Sequence, residues 1–255
     1  MADRKIILVT GATAGFGKAI AEQFAAKGWD IIATGRRADR LTALSEHLTN
    51  QYKVRVLPLT FDVRDKAAVS AQLDALTESW QNIDVLVNNA GLALGRDFFD
   101  QANMDDWEIM IDTNIKGLLY VSRAVLPYFE KRGRGHIINI GSTAAKDVYP
   151  MGNVYCATKS AVEAISKAQR IDLLSKKIKV TAIHPGAAET EFSLVRFKGD
   201  QHESDKVYQG YQALEAKDIA DIAYYVSNLP DHVCINDLVV TCTAQANAFF
   251  THKEG

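Results

Sequence analysis

Short apolar runs alternate with amphipathic helical stretches from one end of the 255-residue chain to the other. Strands buried on both faces read as continuous apolar runs, and strands that alternate with helices build parallel sheets covered on both sides. The predicted strands are residues 5–10, 30–34, 53–60, 83–87, 136–140, 179–184 and 237–241. No linker rich in proline, serine or glycine and no internal repeat interrupts the series. We therefore expect a single α/β domain over residues 1–255, with a doubly wound parallel sheet of about seven strands.

Apolar residues between the strands recur at helical spacing, as Leu41, Leu44 and Leu48 do in one stretch, and Val69, Leu73, Leu76 and Trp80 in the next. Two longer helical segments are predicted at about 105–131 and 154–176. In an open parallel sheet, ligands bind beyond the carboxyl ends of the strands. Gly11, Asn89, Ser142 and Pro185 all fall at such ends, so a ligand site is predicted there.

A glycine-rich loop follows the first predicted strand. Gly11, Gly15 and Gly17 lie between that strand and a helix that carries Ile20 and Phe24. Strand, glycine loop and helix together place backbone N–H groups and a helix N-terminus against a diphosphate. The spacing Gly-x-x-x-Gly-x-Gly differs from the general dinucleotide pattern, and glycines alone also serve plain turns. The loop therefore needs support from elsewhere in the chain.

That support comes from Tyr155 and Lys159, which are four residues apart and would share one face of a helix. A neighbouring positive charge favours a phenolate, so we expect the pKa of Tyr155 to lie below its usual value of about 10. A tyrosine tuned in this way can exchange a proton with an alcohol. Ser142, at the end of a predicted strand, could hydrogen-bond the same oxygen. The plain alternative for the pair alone is a solvated helix face.

Taken in order, these motifs resemble the short-chain dehydrogenase/reductase family, whose single-domain members have a Rossmann-type fold of about this length. The resemblance implies a catalytic set of Asn114, Ser142, Tyr155 and Lys159. It also implies cofactor contacts from Gly11, Thr13, Gly15, Phe16, Gly17, Asp62, Val63, Asn89, Ala90, Gly91, Tyr155, Lys159, Pro185, Gly186 and Thr190. In this interpretation Tyr155 is the general acid/base, Lys159 holds the nicotinamide ribose, and Asn114 orders a water.

Segments 141–144, 152–155 and 191–200 resemble the subgroup of NADP-dependent 3-hydroxy acid (serine-type) dehydrogenases. The implied substrates are serine, allo-threonine or 3-hydroxypropionate and the corresponding carbonyl compounds. A reductase of a short sulfonated or other small aldehyde or ketone is the alternative. Two further readings are a non-catalytic NADP-binding sensor and an epimerase or dehydratase on a nucleotide sugar. The retained Tyr155 and Lys159 argue against the sensor, and the short chain argues against the epimerase.

The residues after the second predicted strand bear on the choice between NAD and NADP. A carboxylate there would bind the ribose 2′-hydroxyl and repel a 2′-phosphate. This chain instead has Arg36 and Arg37, whose guanidinium groups suit phosphate. A solvated basic turn is the alternative, and Ala14 stands where NADP-preferring relatives often carry another basic residue. We predict NADP as the cofactor.

Residues 187–211 form a long polar segment directly after the predicted nicotinamide contact. Long loops of this kind are often functional, so we predict a substrate lid. Arg196 in this segment is the candidate to bind a substrate carboxylate, with Lys146 and Arg96 as weaker candidates. The alternative for Arg196 is a solvent-exposed loop residue. Near the C-terminus, Phe249 and Phe250 would cover the core or belong to a subunit contact.

Composition excludes several other classes of function. A formal net charge of −2 at pH 7 gives no electrostatic footprint for nucleic acid or an acidic membrane surface. No apolar stretch approaches the roughly 20 residues of a transmembrane helix, and the N-terminus does not resemble a signal peptide. Three cysteines and scattered histidines predict no metal site, Cys156 is interpreted as a buried inert thiol, and His184 as a strand-end residue. We expect a cytoplasmic protein with a small-molecule substrate, and the family resemblance implies a homotetramer.

Overall fold

The structure is a computed structural model and describes residues 4–254. Its strands are β1 (Ile6–Val9), β2 (Asp30–Gly35), β3 (Val56–Thr60), β4 (Ile83–Asn88), β5 (Gly135–Ile140), β6 (Ile178–Pro185), β7 (Ala188–Glu189), β8 (Leu214–Glu215) and β9 (Asp237–Val240). Its helices are α1 (Gly15–Ala26), α2 (Ala38–Tyr52), α3 (Lys66–Asp74), α4 (Met104–Ile111), α5 (Leu118–Arg132), α6 (Asn153–Asp172), α7 (Glu191–Arg196), α8 (Gln201–Lys206) and α9 (Ala216–Ser227).

Seven strands form one parallel sheet in the order β3-β2-β1-β4-β5-β6-β9, which confirms the predicted doubly wound fold. The order reverses between β1 and β4, so loops leaving these neighbours diverge and open a crevice at their carboxyl ends. The third strand begins at Val56 rather than at residue 53. Lys53 ends α2 with a left-handed φ of 56°, which keeps it out of the extended conformation.

The sheet has an apolar core on each face because successive strand residues point to opposite sides. Ile7 and Val9 of β1 pack with residues of α1, α2 and α9, whereas Ile6 and Leu8 pack with residues of α3 and α5. All four β1 residues are buried, as the continuous apolar run predicts. The strand ends are therefore fixed between two packed layers, and the loops that follow them start from rigid positions.

Two of the predicted helices differ from expectation. The segment predicted at about 105–131 is α4 and α5 joined by a π-helical stretch, Asp112–Gly117, which contains Asn114. Such widened turns are frequent at functional sites. Helix α3 ends at Asp74, and Trp80 lies in a separate single turn, where the guanidinium of Arg55 lies 4.7 Å from its ring centroid.

The polar segment 187–211 contains regular secondary structure and is not one long loop. It contains the short helices α7 and α8, and β7 pairs in parallel with β8 just after the segment. Thr190 caps α7 by accepting a hydrogen bond from the N–H of Phe192, and Asp200 caps α8 through Glu203. Among residues 4–254, no helix is long and apolar enough to cross a lipid bilayer.

Candidate active site

A cavity of about 1090 Å³ lies along the carboxyl edge of the sheet. Its walls include the glycine loop, the residues after β2 and β4, the turn after β5, the start of α6, and the segment that carries α7 and α8. Ligand sites commonly measure about 300–1,000 Å³, so this cavity has room for a dinucleotide together with a small second molecule. Its position is the one that the strand ends predicted.

The glycine loop has the geometry of a phosphate cradle. Gly11 and Gly15 adopt left-handed φ values of 66° and 50°, and a Cβ atom on Gly17 would overlap the carbonyl oxygen of Gly11. No side chain of the described residues caps the start of α1 after Ala14. The first N–H groups of the helix therefore face the cavity without a capping partner, which suits an anion.

The segment after β4 braces this loop. The Thr10 hydroxyl accepts hydrogen bonds from the N–H groups of Asn89 and Ala90, at 3.0 and 2.9 Å. The Asn89 amide donates in turn to the carbonyl oxygens of Thr10 and Gly11, at 2.9 and 3.3 Å. These bonds join the ends of β1 and β4, the two strands between which the sheet order reverses.

Ser142, Tyr155 and Lys159 come together at one end of the cavity. Ser142 follows β5 in an extended conformation, and its hydroxyl accepts a hydrogen bond from the N–H of Ala144 at 3.1 Å. Tyr155 and Lys159 lie on α6 and are only 8% and 6% exposed. The Lys159 ammonium lies 6.0 Å from the Tyr155 ring centroid and donates to the carbonyl oxygen of Ile140 at 3.0 Å.

The expected lowering of the Tyr155 pKa is wrong for this structure. Burial raises the pKa of the phenol well above its ordinary value of 10.0, and Tyr149 adds to the rise, while Ser142 and Arg196 oppose it. Burial also lowers the pKa of Lys159 from 10.5 to about 8. Desolvation disfavours the charged form of both groups and outweighs the attraction between them, because the ammonium is not in hydrogen-bond contact with the phenol.

Asn114 lies beside this group, but its amide is engaged with the protein. The side chain exchanges hydrogen bonds with the backbone of Leu92, both at 2.9 Å, and donates to the Thr158 hydroxyl at 3.0 Å. A Cβ atom on Gly91 would lie 3.2 Å from Asn114 Oδ1 and 3.5 Å from Lys159 Nζ. The missing side chain of Gly91 thus leaves a small space that Asn114 and Lys159 share.

Arg36 and Arg37 lie at the other end of the cavity, together with Asp62. Arg37 donates twice to the Thr13 hydroxyl, at 3.2 and 2.8 Å, and once to Glu191 on α7 at 3.3 Å. Arg36 lies 3.8 Å from Asp62, which also binds Arg64 at 2.7 Å. Burial works against ionisation of Asp62, but the hydrogen bonds and charge of Arg64 and the charge of Arg36 lower its pKa.

Val63, the predicted partner of Asp62, also lines the cavity and packs against Gly117, where a Cβ atom would lie only 2.7 Å from Val63 Cγ2. Thr190, Pro185 and Gly186 line the cavity as well. A Cβ atom on Gly15 would lie 3.5 Å from the Thr190 side chain, so the start of α7 lies over the glycine loop. The predicted cofactor residues therefore surround one continuous space, except for Gly17, which does not line it.

Arg196 lies at the same end of the cavity as Tyr155. Its guanidinium carbon is 5.7 Å from the ring centroids of both Tyr155 and Tyr149. It donates to the Tyr149 hydroxyl at 3.1 Å and to the carbonyl oxygen of Gly95 at 3.3 Å. Within residues 4–254 its Nη2 amino group has no hydrogen-bond partner. The reading as a solvent-exposed loop residue does not fit this part-buried position.

The two weaker candidates for a substrate anchor differ. Arg96 lines the cavity. Lys146 lies outside it and binds Glu163 and Asp237, each at 3.0 Å. Cys156 is buried, and burial raises the pKa of its thiol, in keeping with the expected unreactive side chain. Among residues 4–254, no three of the histidines, cysteines and carboxylates cluster to hold a metal ion.

Several residues that line the cavity were not identified from the sequence. Tyr149 lies within the stretch between Ser142 and Tyr155, and the Phe192 ring lies 5.7 Å from that of Tyr155. Gln245 accepts a hydrogen bond from the N–H of Ala187 at 2.8 Å and fills the space beside Gly186. Gln245 follows the last strand, so the rule that ligands bind beyond strand ends could have indicated it. Tyr149 and Phe192 carry no comparable signal.

Comparisons with known proteins agree with this geometry. Residues 5–200 match the short chain dehydrogenase family. The chain is 50% identical over 244 residues to the NADP-dependent 3-hydroxy acid dehydrogenase YdfG of Salmonella typhi, covering 95% of this chain and 97% of that protein. It is 46% identical over 246 residues to sulfoacetaldehyde reductase 2 of Chromohalobacter salexigens, covering 96% of this chain and 97% of that one.

A solved structure is also similar to this chain in both fold and sequence. The closed form of serine dehydrogenase complexed with NADP⁺ superimposes with a TM-score of 0.91 at 47% identity, covering 98% of this chain and 100% of that one. Sequence, fold and cavity residues therefore lead to one conclusion. This protein is a member of the short-chain dehydrogenase family.

Proposed function

We propose that this protein is an NADP-dependent oxidoreductase that transfers a hydride between the nicotinamide and a small 3-hydroxy acid, or its semialdehyde or ketone. The observation that carries this proposal is the position of Arg196, whose guanidinium lies 5.7 Å from the Tyr155 ring centroid at the catalytic end of the cavity. A cation beside the proton donor suits an anionic substrate. The similarity to 3-hydroxy acid and serine dehydrogenases supports the same substrate class.

The residues present fit the cofactor. The glycine loop and the start of α1 would hold the diphosphate, while Arg36 and Arg37 would bind the 2′-phosphate. NADP supplies the hydride, and the protein supplies position and a proton. Other contacts are proposed for Thr13, Phe16, Asp62, Val63, Asn89, Ala90, Gly91, Pro185, Gly186 and Thr190, all of which line the cavity. Gly17 serves by allowing the loop to close on Gly11.

Tyr155 is the proposed proton donor during carbonyl reduction. Its raised pKa keeps the phenol protonated at neutral pH, so a proton is available for the carbonyl oxygen as the hydride reaches the carbon. Ser142 orients that oxygen through its hydroxyl. In the oxidation direction the same proton returns to the tyrosine oxygen. After reduction, Lys159, with a pKa of about 8, and a water held near Asn114 would return a proton to the tyrosine oxygen. Before oxidation, the same groups would remove that proton.

Arg196 is the proposed anchor for the substrate carboxylate. A small hydroxy acid offers little apolar surface, so its charge must supply much of the binding and orientation. The contacts of Arg196 with Gly95 and Tyr149 hold the guanidinium in place while leaving the Nη2 group to a ligand. A sulfonate has a similar arrangement of charge and oxygens. The similarity to a sulfoacetaldehyde reductase therefore makes a short sulfonated aldehyde the second candidate.

Three wider features belong to the same proposal. Residues 187–211 act as a lid, because they form one wall of the cavity and carry both Thr190 and Arg196. The protein assembles as a homotetramer, as the resemblance to its family implies, through the α4–α5 segment and α6. Its location is the cytoplasm.

A substrate panel tests the proposal. The oxidation arm compares serine, allo-threonine and 3-hydroxypropionate with the matching uncharged amides and alcohols, each with NADP and NAD. The reduction arm compares the semialdehyde of 3-hydroxypropionate with sulfoacetaldehyde. Nicotinamide absorbance reports the rates, and we expect the highest kcat/KM for carboxylates with NADP. A preference for uncharged alcohols would contradict the hydroxy acid assignment.

Arg196→Ala provides the matched variant for this panel. A hydrogen bond to a charged group contributes about 1.5–3 kcal/mol, so kcat/KM for acids should fall about ten- to a hundredfold. The uncharged alcohols should be nearly unaffected. Arg96→Ala is the control, because it removes another cavity cation that lacks the contact with Tyr155. Equal losses on acids and alcohols would assign Arg196 a structural role.

A further inference from the structure

His184 lies next to the catalytic serine but outside the cavity wall. It precedes Pro185 at the end of β6, and its side chain is fully buried. Ring atom Nδ1 is 3.4 Å from the backbone nitrogen of Ser142 and 3.2 Å from its carbonyl oxygen. Nε2 is 3.2 Å from a carboxylate oxygen of Asp237. The imidazole therefore joins the backbone of Ser142 to an acidic group at the start of β9.

The partners of His184 determine where its ring proton lies. Burial lowers the pKa of His184, although Asp237 opposes the shift, so the ring is neutral at physiological pH. A carboxylate only accepts hydrogen bonds, so the proton must be on Nε2, facing Asp237. Nδ1 then carries the lone pair and accepts a hydrogen bond from the N–H of Ser142. Its distance to the Ser142 carbonyl oxygen reflects proximity rather than donation.

Other charged groups hold the carboxylate of Asp237 in place. The Lys146 ammonium donates to both Asp237 oxygens, at 3.0 and 3.2 Å, and also contacts Glu163 at 3.0 Å. Glu163 on α6 is paired in turn with Lys167, at 2.5 Å. This network connects α6, which carries Tyr155, with the strand-end histidine. Lys146, a weaker candidate for the substrate anchor, is thus paired with Asp237 and Glu163 instead.

The imidazole also packs directly against the turn that presents Ser142. A Cβ atom on Gly141 would overlap the His184 ring at Nδ1, so only glycine allows this approach. The N–H of Gly141 donates to the Ile183 carbonyl oxygen at 2.6 Å, which continues the pairing of β5 and β6 to the last residue before Ser142. The ring therefore lies where it can fix the direction in which the chain leaves β5.

We propose that His184, oriented by Asp237, is a positioning residue for the reaction of this protein. It accepts a hydrogen bond from the backbone N–H of Ser142. By fixing that backbone, it orients the Ser142 hydroxyl toward the substrate oxygen. The inference rests on the proposed role of Ser142. It adds two residues, His184 and Asp237, that touch neither substrate nor cofactor, and one defined tautomer with the proton on Nε2.

Two isosteric substitutions separate positioning from structural support. In His184→Asn, the amide oxygen can take the place of Nδ1 and accept from the Ser142 N–H. In His184→Gln, the longer amide reaches the place of Nε2 and keeps the contact with Asp237 but not the one with Ser142. Misplacement of a catalytic group by about 1 Å can cost roughly a hundredfold in rate. We expect His184→Gln to lower kcat ten- to a hundredfold, whereas His184→Asn retains most of it.

The remaining measurements make the comparison specific. The KM for substrate and the Kd for NADP should change little in both variants, because neither histidine nor aspartate contacts a ligand. His136→Asn is the matched control. His136 is a buried histidine on the neighbouring strand β5 that bonds to Thr181 at 2.8 Å, remote from Ser142. It should lower the melting temperature without lowering kcat of the folded enzyme.

A spectroscopic measurement tests the tautomer in the wild-type protein, and His184→Gln serves only to assign the signal. In the full chain labelled with ¹⁵N-histidine, the signal that disappears in His184→Gln should show the chemical shifts of a neutral ring protonated on Nε2. A ring protonated on Nδ1 would overturn the proposal. The proposal would also be overturned if His184→Asn and His184→Gln lost kcat equally and if these losses paralleled the losses in melting temperature. If Ser142→Ala itself left kcat unchanged, the proposed function of Ser142 would fail, and that outcome is distinct from both.

Discussion

The two ends of the cavity handle charge in opposite ways. At the end that holds Arg36 and Arg37, the arginine side chains are 60% and 43% exposed. The carboxylate side chains that they contact, Asp62 and Glu191, are 26% and 46% exposed. At the catalytic end, Tyr155 and Lys159 are almost fully buried, and the pKa of each moves in the direction that removes its charge. The arginines at one end are partly in solvent, whereas the other end excludes solvent from the two groups that we propose to exchange a proton.

This difference separates two kinds of residue. Exposed ion pairs contribute about 0–1 kcal/mol because water and salt screen them, so substitutions there should change cofactor preference by degrees. If Tyr155 and Lys159 exchange protons as proposed, they do so in surroundings fixed by packing, so loss of either group should remove a step of the reaction. The predictions below test this contrast, beginning with the largest expected effect.

Tyr155→Phe should remove nearly all turnover. The ring remains in its packed position between Phe192 and Lys159, but the only proposed proton donor at that position is lost. General acid–base catalysis contributes about a hundred- to ten-thousandfold, which sets the expected loss in kcat. The melting temperature and the Kd for NADP should stay near their wild-type values. A folded Phe variant with near-wild-type kcat would refute the assignment of Tyr155.

Lys159→Met should abolish activity and yet stabilise the fold at neutral pH. The lowered pKa of Lys159, about 8 against 10.5, means that the folded site releases a proton that the unfolded chain keeps between those pH values. The cost of burying the charge is therefore fully present below pH 8 and disappears as the pH rises to 10.5. A shift of this size corresponds to about 3 kcal/mol, an upper bound for the gain in unfolding free energy.

Denaturant unfolding of wild type and Lys159→Met at pH 7 and pH 10 checks this sign. The difference between the two proteins should be large at pH 7 and small at pH 10. Lys167→Met on the exposed side of the same helix is the control, since the Lys167 side chain is 59% exposed. A destabilised Lys159→Met at pH 7 would show that the bond to Ile140 outweighs the burial of charge.

Replacing Arg36 and Arg37 by serine should shift preference from NADP toward NAD. The change removes the guanidinium groups that would bind the 2′-phosphate, and each charge-assisted bond is worth at most about 1.5–3 kcal/mol. Adding Gly35→Asp supplies an acceptor for a 2′-hydroxyl. A Cβ atom at Gly35 would approach Thr13 to 2.9 Å, so Gly35→Asp alone is needed to separate crowding from charge. An unchanged ratio of kcat/KM for the two cofactors would contradict the proposal that Arg36 and Arg37 bind the 2′-phosphate.

Glu191→Gln should have the smallest effect. The Glu191 carboxylate, at the start of α7, binds Arg37 at 3.3 Å and Arg40 at 2.8 Å. It would therefore compete with the 2′-phosphate of NADP for the guanidinium of Arg37. Exposed pairs of this kind contribute about 0–1 kcal/mol, so the Kd for NADP should fall by a few-fold at most. The gain should shrink as salt rises and be absent for NAD. Weaker NADP binding would instead show that Glu191 orients Arg37 for the phosphate.

Features set by short stretches of sequence were predicted well. The strands follow from apolar runs such as Ile6–Val9, and the glycine loop follows from positions where only glycine fits, as Gly17 beside Gly11. Tyr155 and Lys159 could be paired because a helix brings residues four apart to one face. Each of these depends on local backbone geometry. The sequence therefore predicted the fold, the place of the cavity and many of the residues around it, but not Tyr149, Phe192 or Gln245.

Features that depend on burial or on distant contacts were not predicted. The sequence indicated an attraction that lowers the pKa of Tyr155, but packing around the phenol reverses the direction. It predicted a long loop after Gly186, where Thr190 and Asp200 start two short helices instead.

By itself, the sequence determined which elements form and which side chains leave the strand ends, because both follow from the period and chemistry of neighbouring residues. Only the tertiary structure decided that Arg196 lies over Tyr155 and that His184 meets Ser142. These contacts join residues 41 and 42 positions apart in the chain, as the numbering shows. Their existence depends on how the layers pack, and desolvation in that packing raises the pKa of Tyr155 and lowers that of Lys159.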